Sequence, residues 1–114
     1  MQNQEFEDKR VFARLPVSLT VKYLDLGSNT EGEAQTQDIS AKGIGLSTDR
    51  PLSPNSSLEM WLRVPDKGEP FYTRGEVVWA SDGAASGYRA GINLERADLM
   101  GISRVLRTMK SIQR

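Results

Sequence analysis

The sequence predicts a mainly β fold: a six-stranded antiparallel β-barrel with a C-terminal α-helix packed on it and a flexible N-terminal arm. The first observation behind this prediction is that six short segments have the pattern or composition of strands, with turn-forming residues between them. The second is that the apolar period changes to helical spacing near the end of the chain. Short strands followed by one amphipathic helix are typical of a closed or nearly closed barrel that the helix covers.

The six predicted strands are separated by loops rich in glycine, proline, serine and asparagine. The first segment shows the alternation most clearly, because Val17, Leu19, Val21 and Tyr23 are separated by polar residues. The predicted strands cover residues 17–23, 33–39, 43–48, 58–64, 72–80 and 88–94, and the predicted loops include 27–32, 51–56, 65–70 and 81–87.

The predicted helix begins near Leu99 and carries an apolar stripe. Leu99, Ile102, Leu106 and Met109 recur at helical spacing, with further apolar residues on nearby faces. Asp98 is a candidate N-cap, and the basic residues late in this segment suit a helix C-terminus. We expect the stripe to pack against the barrel.

A chain of 114 residues is long enough for one domain. We divide it into an arm at residues 1–14 and a barrel with its terminal helix at residues 15–114. The arm is polar, with Phe6 and Phe12 as its only large apolar side chains, so it is expected to be flexible. It contains no apolar stretch of signal-peptide or membrane-span length, which predicts a cytoplasmic protein without membrane insertion.

Composition argues against several classes of function. The sequence has no cysteine and no histidine, so disulfides, thiolate metal sites and the commonest general base are excluded. No metal site, catalytic residue or cofactor is expected. Acidic and basic residues balance at 15 each, so bulk charge does not direct the protein to nucleic acid or membrane.

Two short clusters carry residues suited to ligand binding. Lys9, Arg10 and Arg14 place two arginines four apart, while Asp38, Ser40 and Gly43 place an acid, a hydroxyl and a glycine where a strand meets a turn. Taken singly, the first is equally a solvated basic turn. The second is equally a turn in which the polar side chains bond the backbone and the glycine takes positive φ.

Together, in this order around an alternating strand, the clusters resemble the signature of the PilZ domain family. That signature has an R-x-x-x-R motif near the start, here Arg10 to Arg14, and a [D/N]-x-S-x-x-G motif on a following strand, here Asp38 to Gly43. The resemblance extends through Gly75-Glu76-Val77-Val78-Trp79 and Gly91-Ile92-Asn93-Leu94 to the terminal helix, and covers roughly residues 9–110.

The resemblance implies a receptor for the bacterial second messenger cyclic di-GMP. It implies that Arg10 and Arg14 grip the ligand from the arm, while Asp38, Ser40 and Gly43 receive it on the barrel. Arginine can hold phosphate oxygens or the O6/N7 edge of guanine bidentately, and a carboxylate can accept from guanine N1–H and N2–H₂. We expect the arm to become ordered on the ligand and to change the surface shown to a downstream protein partner.

Four further residues leave alternatives open. Lys9 either favours a stacked pair of ligands by neutralising extra phosphate or is simple surface charge, and the two interpretations are equally supported. Trp79 either stacks on a base or fills the barrel, and the sequence favours filling. Arg74 and Arg89 are weaker candidates for phosphate contact, because strand residues of this type are more often solvent-facing.

Three other functions fit the sequence less well than nucleotide binding. A protein of the same fold that serves as an interaction adaptor without binding the nucleotide typically departs from the two motifs, and this sequence keeps both. A barrel for single-stranded nucleic acid predicts a basic groove with several aromatics, whereas aromatic residues make up only 7% here. An enzyme is the least supported, because no nucleophile has an evident activating base.

Overall fold

A computed structural model of the chain describes residues 14–82, 87–96 and 99–112. The strands are β1 (Thr20–Asp25), β2 (Thr30–Ile39), β3 (Gly43–Thr48), β4 (Ser57–Arg63), β5 (Phe71–Asp82) and β6 (Tyr88–Leu94), and the helix is α1 (Leu99–Ile112). The strands pair antiparallel and close into a barrel in the order β1-β2-β3-β6-β5-β4. The predicted barrel and terminal helix are therefore confirmed, while the predicted arm, apart from Arg14, lies outside the described residues.

The barrel interior is filled by the inward-facing half of each strand. On β4, Leu58, Met60 and Leu62 are completely buried, and the residues between them point outward. Val21 and Ile44 are buried equally deeply on β1 and β3. Burying a side chain of this size contributes about 1.5–3 kcal/mol. Because the interior is packed with such side chains, we expect a ligand to bind on the outer surface of the barrel.

The first strand begins at Thr20, three residues later than predicted. Leu15 instead forms an isolated bridge to Ile39, with two backbone hydrogen bonds of 2.7 and 2.9 Å. Pro16 has no N–H to give to a ladder, which explains why regular pairing is interrupted here. The chain thus meets β2 at one point before β1 begins.

Thr36 of β2 holds the segment between that bridge and β1. Its hydroxyl donates to the carbonyl of Val17 at 2.5 Å and accepts from the backbone N–H of Leu19 at 2.8 Å. The Thr36 side chain is buried, and the bond from the Leu19 N–H lies away from water. Because Arg14 directly precedes this segment, Thr36 helps to fix where that arginine stands.

β2 begins at Thr30, so the loop predicted at 27–32 is shorter than expected. The turn is made by residues 26–29, with Asn29 at a φ of 57°. Gly32 belongs to the strand because it packs on the buried Tyr23: a Cβ at Gly32 would lie 2.4 Å from the tyrosine hydroxyl oxygen. β5 is also longer than predicted, since it covers residues 71–82.

The helix packs against the barrel, but its buried stripe is centred one residue away from the predicted one. Val105 is buried in the core, whereas Leu106 is 39% exposed. Ile102 and Met109 pack partly buried against the core, as predicted. The helix lies close to the barrel at Gly101, where a Cβ would be 2.2 Å from the Phe71 ring. The candidate N-cap Asp98 lies outside the described residues.

An ion pair ties the helix to the loop between β4 and β5. Nε and Nη2 of Arg104 donate to the two carboxylate oxygens of Asp66 at 2.6 and 2.8 Å. This fork, together with the Gly68 N–H, holds the pKa of Asp66 well below its ordinary value.

Within the described part of the chain, α1 is neither long nor apolar enough to cross a membrane.

Candidate functional site

A row of four residues crosses the outer face of β2, β3, β6 and β5. The strand register pairs Asp38 with Gly45, Gly45 with Gly91, and Gly91 with Trp79. A carboxylate and an indole therefore stand at the two ends of a strip that has no side chains in its middle. We call this row, together with Gly43 beside it on β3, the ledge.

A β-bulge lies at each end of the ledge. The β2–β3 register shifts between Thr36 and Asp38, and the β5–β6 register shifts between Val77 and Trp79. Thr36 and Val77 are buried, so regular alternation would point Asp38 and Trp79 into the barrel as well. One extra residue in each strand turns both side chains outward.

Trp79 lies on the outer surface and is 49% exposed, so the prediction that it fills the barrel is wrong. Its indole lies against Gly91, where a Cβ would be only 2.1 Å from the indole Nε1. Any side chain at position 91 would therefore displace the ring. The glycine thus allows the indole to lie close to the strand and to keep its other face open.

The structure places Arg14 at the opposite end of the ledge. Its Nη1 donates to Oδ1 of Asp38 at 2.9 Å, and its Nη2 lies 3.6 Å from the position of a Cβ on Gly43. The two side chains are 53% and 36% exposed, so their ion pair is weakened by water. The bond uses one of five guanidinium N–H groups, which leaves others for an anion. Lys9 and Arg10 lie outside the described residues.

Ser40 is buried beneath the turn between β2 and β3. Its hydroxyl accepts from the backbone N–H groups of Lys42 and Gly43 at 3.2 and 3.0 Å, and donates to the Gly43 carbonyl at 3.3 Å. All three bonds stay within the turn. The serine therefore shapes the backbone that carries Gly43, which is a positioning role distinct from the direct ligand contact that the sequence suggested.

A shallow cavity of about 240 Å³ lies over the part of the ledge formed by Gly43, Gly91 and Trp79. Four of the predicted residues, Arg14, Ser40, Gly43 and Trp79, line it together with Lys42 and Asn93. A larger cavity of about 430 Å³ lies on the opposite wall of the barrel, beside two glutamates. An anionic ligand is disfavoured beside those carboxylates, so the smaller cavity with its basic side chains is the better candidate for a phosphate-bearing molecule.

The two weaker arginine candidates differ in their surroundings. Arg89 is exposed on β6, two residues before Gly91 and on the same face. Arg74 lies between the carboxylates of Glu59 and Glu95, at 4.0 and 3.5 Å. These ion pairs engage Arg74 away from the ledge, whereas Arg89 flanks it.

Sequence reasoning missed Gly45, and it gave no role to Lys42, Gly91 or Asn93, which lie within the quoted motifs. A signal for the glycines was present, since glycine in a strand interior weakens the strand and marks a close approach of backbone or ligand. Both glycines lie within strands at facing positions.

Among the described residues, no group of three or more acidic, histidine or cysteine side chains could hold a metal ion.

Comparison with known proteins identifies the family. The model of the PilZ domain matches residues 8–107, which is most of the chain. This chain belongs to the PilZ domain family. The resemblance inferred from the two motifs is therefore confirmed, and the PilZ match includes the ledge and the Arg10–Arg14 motif alike. No curated protein matches the chain significantly.

Solved structures share this PilZ fold at low sequence identity. The PilZ domain of YcgR from Escherichia coli, solved with cyclic di-GMP, is 12% identical with a TM-score of 0.65 over 90% of each chain. MotI from Bacillus subtilis, an inhibitor of motility, is 17% identical with a TM-score of 0.66, and the match covers 90% of this chain but 50% of MotI. PlzA from Borreliella burgdorferi, in complex with cyclic di-GMP, is 12% identical with a TM-score of 0.55, over 98% of this chain and 55% of PlzA. At these identities the likeness shows the fold.

Proposed function

We propose that this PilZ protein binds cyclic di-GMP on the ledge. The observation that carries the proposal is the arrangement of Arg14 on Asp38 at one end of a glycine strip and of Trp79 at the other. It offers a cation for phosphate, a carboxylate for a base edge and an indole for a base face. The same fold in YcgR and PlzA was solved with this dinucleotide, which supports the choice of ligand.

The guanine base is proposed to lie over the glycine strip. The two oxygens of the Asp38 carboxylate accept from guanine N1–H and N2–H₂, a recognition that selects guanine over bases lacking those donors. Gly45 and Gly91 let the Asp38 carboxylate and the Trp79 indole lie close to the backbone, where both can contact one base. Stacking on the open face of Trp79 contributes about 1–3 kcal/mol per base.

The phosphates are proposed to be held by Arg14 together with Arg10 and Lys9 from the leading segment. A guanidinium fork binds two phosphate oxygens at once, whereas a lysine adds a point charge. A basic residue at position 9 supports a second, stacked ligand by offsetting its extra phosphate charge. The number of ligands per chain decides whether Lys9 has this role.

We propose that ligand binding is signalled by a change in the surface that the protein presents. Residues 1–14 close over the ligand against the barrel of residues 15–114, and the closed form presents a new surface to a partner protein. The contacts must exceed the entropy lost on ordering this segment, so the change is a shift of population. Hydrogen exchange of residues 1–13 should slow when ligand is added, and equal exchange in both states would exclude the relay. We propose binding without catalysis.

Calorimetric titration of the full chain with cyclic di-GMP tests the binding proposal and counts the ligands. Arg14→Ala should weaken binding about ten- to a hundredfold, because a charge-assisted hydrogen bond contributes roughly 1.5–3 kcal/mol. Arg14→Lys should recover only part of this loss, since lysine cannot form the fork. Arg63→Ala removes an exposed arginine from β4, outside the ledge, and is the matched control.

Wild-type affinity in Arg14→Ala would refute the assignment of the site. No binding by the wild-type chain would refute the function and would favour the adaptor that keeps the fold without the nucleotide.

A further inference from the structure

The wall of the barrel opposite the ledge carries a row of large side chains. On the outer face of β5, β4, β1 and β2 the register pairs Tyr72 with Trp61, Trp61 with Lys22, and Lys22 with Glu33. In the next row Leu24 pairs with Glu31 on β2. We call these six residues the aromatic wall. Every position of this wall carries a side chain, whereas the middle of the ledge is glycine.

Two aromatic rings on this wall are fixed although they face solvent. The rings of Trp61 and Tyr72 lie 5.4 Å apart between centroids at an angle of 52°. Tyr72 is 44% exposed, and its hydroxyl donates to Glu59 at 2.8 Å. This bond raises the pKa of Tyr72 and orients its ring. Exposed tryptophan and tyrosine side chains held in one orientation are typical anchors of protein interfaces.

A cavity of about 430 Å³ lies beside the tryptophan, lined by Trp61, Lys22, Glu31, Glu33 and Gly32 among others. Glu31 and Glu33 face outward on either side of Gly32, which faces the buried Tyr23. Within the described part of the chain, the side chains of Glu31 and Glu33 form neither a hydrogen bond nor an ion pair. With two carboxylates and one ammonium group, the lining is net negative, and its other surface is aromatic.

We propose that the aromatic wall docks an arginine-bearing segment of a partner protein. An indole face with carboxylates beside it matches a guanidinium, which stacks on Trp61 while its N–H groups reach Glu31 and Glu33. Lysine fits less well, because its ammonium group is more strongly hydrated and cannot form two parallel hydrogen bonds to a carboxylate. Lys22 lies between the tryptophan and Glu33 and opposes an incoming cation. This docking surface goes beyond nucleotide binding and stands on different residues.

The test uses the ¹⁵N-labelled full chain and a synthetic peptide in which arginine alternates with serine. The protein has two tryptophans, so its two indole N–H signals report the aromatic wall and the ledge separately. We expect the arginine peptide to shift the Trp61 signal and a lysine counterpart to bind more weakly. Cyclic di-GMP added to the same sample should shift the Trp79 signal, so failure of either proposal is seen independently of the other.

Charge variants separate docking on this wall from general attraction of a cation. The double variant Glu31→Gln with Glu33→Gln should weaken peptide binding about tenfold or more. The double variant Glu69→Gln with Glu76→Gln changes net charge equally and should leave the affinity unchanged. Lys22→Gln should tighten binding up to about fivefold, the scale of an exposed charge interaction. Gain of affinity on removal of a lysine is not expected from a structural role.

Three results would overturn the proposal. The first is equal affinity of the two double variants. The second is a peptide that shifts Trp79 while Trp61 stays unchanged, which would place it on the ledge. The third is a Trp61 signal that shifts with protein concentration alone, together with a dimer detected by analytical ultracentrifugation. That result would show that a second copy of this chain covers the wall.

Discussion

The two outer walls of the barrel share β2 and β5 but differ in what they present. The ledge has two glycines at facing positions between one carboxylate and one indole. The aromatic wall has a bulky side chain at every position of its row from Tyr72 to Glu33. The first leaves room for a flat ligand between its carboxylate and its indole, and the second can admit only groups that pack among side chains. One barrel therefore separates the proposed nucleotide site from the proposed docking surface.

The walls also differ in the regularity of their strands. The β1–β4 and β1–β2 pairs run without a register shift, so inward and outward residues alternate as the sequence suggests. The ledge has a bulge at each end, and these bulges bring Asp38 and Trp79 to the outer surface. Irregular pairing is thus what builds the candidate site, and regular pairing builds the surface opposite it.

The largest expected effect comes from filling the glycine strip. Gly91→Ala should push the Trp79 indole away, because the new Cβ would lie 2.1 Å from its Nε1. We expect affinity for cyclic di-GMP to fall about ten- to a hundredfold, the range of one lost base stack. Calorimetric titration measures it, with Gly27→Ala in the β1–β2 turn as control. Unchanged affinity in Gly91→Ala would show that the strip is not the floor of the site.

Thr36→Val should destabilise the barrel and loosen the ledge side more than the aromatic wall. The change removes the hydroxyl that bonds Val17 and leaves the buried N–H of Leu19 without its acceptor, at a cost of about 1–3 kcal/mol. Urea unfolding measures the stability. Thr20→Val on the exposed face of β1 is the control and should change it little. Hydrogen exchange should rise at 15–19 before it rises in β4, and a uniform rise would contradict this order.

Asp66→Asn should lower the melting temperature at neutral pH. The folded protein holds the pKa of Asp66 below the value near 4 of an unfolded chain. Its ion pair with Arg104 therefore stabilises the protein above about pH 4 and is lost as the pH falls further. The difference in melting temperature between wild type and variant should shrink between about pH 4 and pH 2. Glu69→Gln in the same loop is the control, and a difference independent of pH would exclude the ion pair as its cause.

The smallest effect is expected from Tyr72→Phe, which keeps the ring and removes its bond to Glu59. Because the bond is exposed, stability should fall by no more than about 1 kcal/mol. Arginine-peptide affinity should fall slightly, and cyclic di-GMP affinity should stay the same. A large change in nucleotide affinity would show that the two walls are coupled.

The regular parts of the molecule were predictable from sequence and the irregular parts were not. Alternation on β4 located Leu58, Met60 and Leu62 in the core, and the family motifs brought Arg14 to Asp38. The sequence left Trp79 open between the barrel interior and the ligand site, because a bulge leaves no trace in apolar alternation.

Two smaller differences have the same kind of cause. The helix stripe is centred on Val105 instead of Leu106, because both neighbours are apolar and only packing against the barrel selects between them. The start of β2 was missed because Thr30 to Gly32 has the composition of a turn. Its strand pairing with β1 depends on how Gly32 meets Tyr23, which is a tertiary contact.

The central claim is that the nucleotide lies on the ledge, and the footprint of cyclic di-GMP on the ¹⁵N-labelled full chain tests it most directly. The account predicts that the backbone amides of Gly45 and Gly91 and the indole of Trp79 shift on saturation, while Trp61 and Lys22 do not. Shifts confined to Trp61 and Lys22, with the ledge signals unmoved, would contradict it.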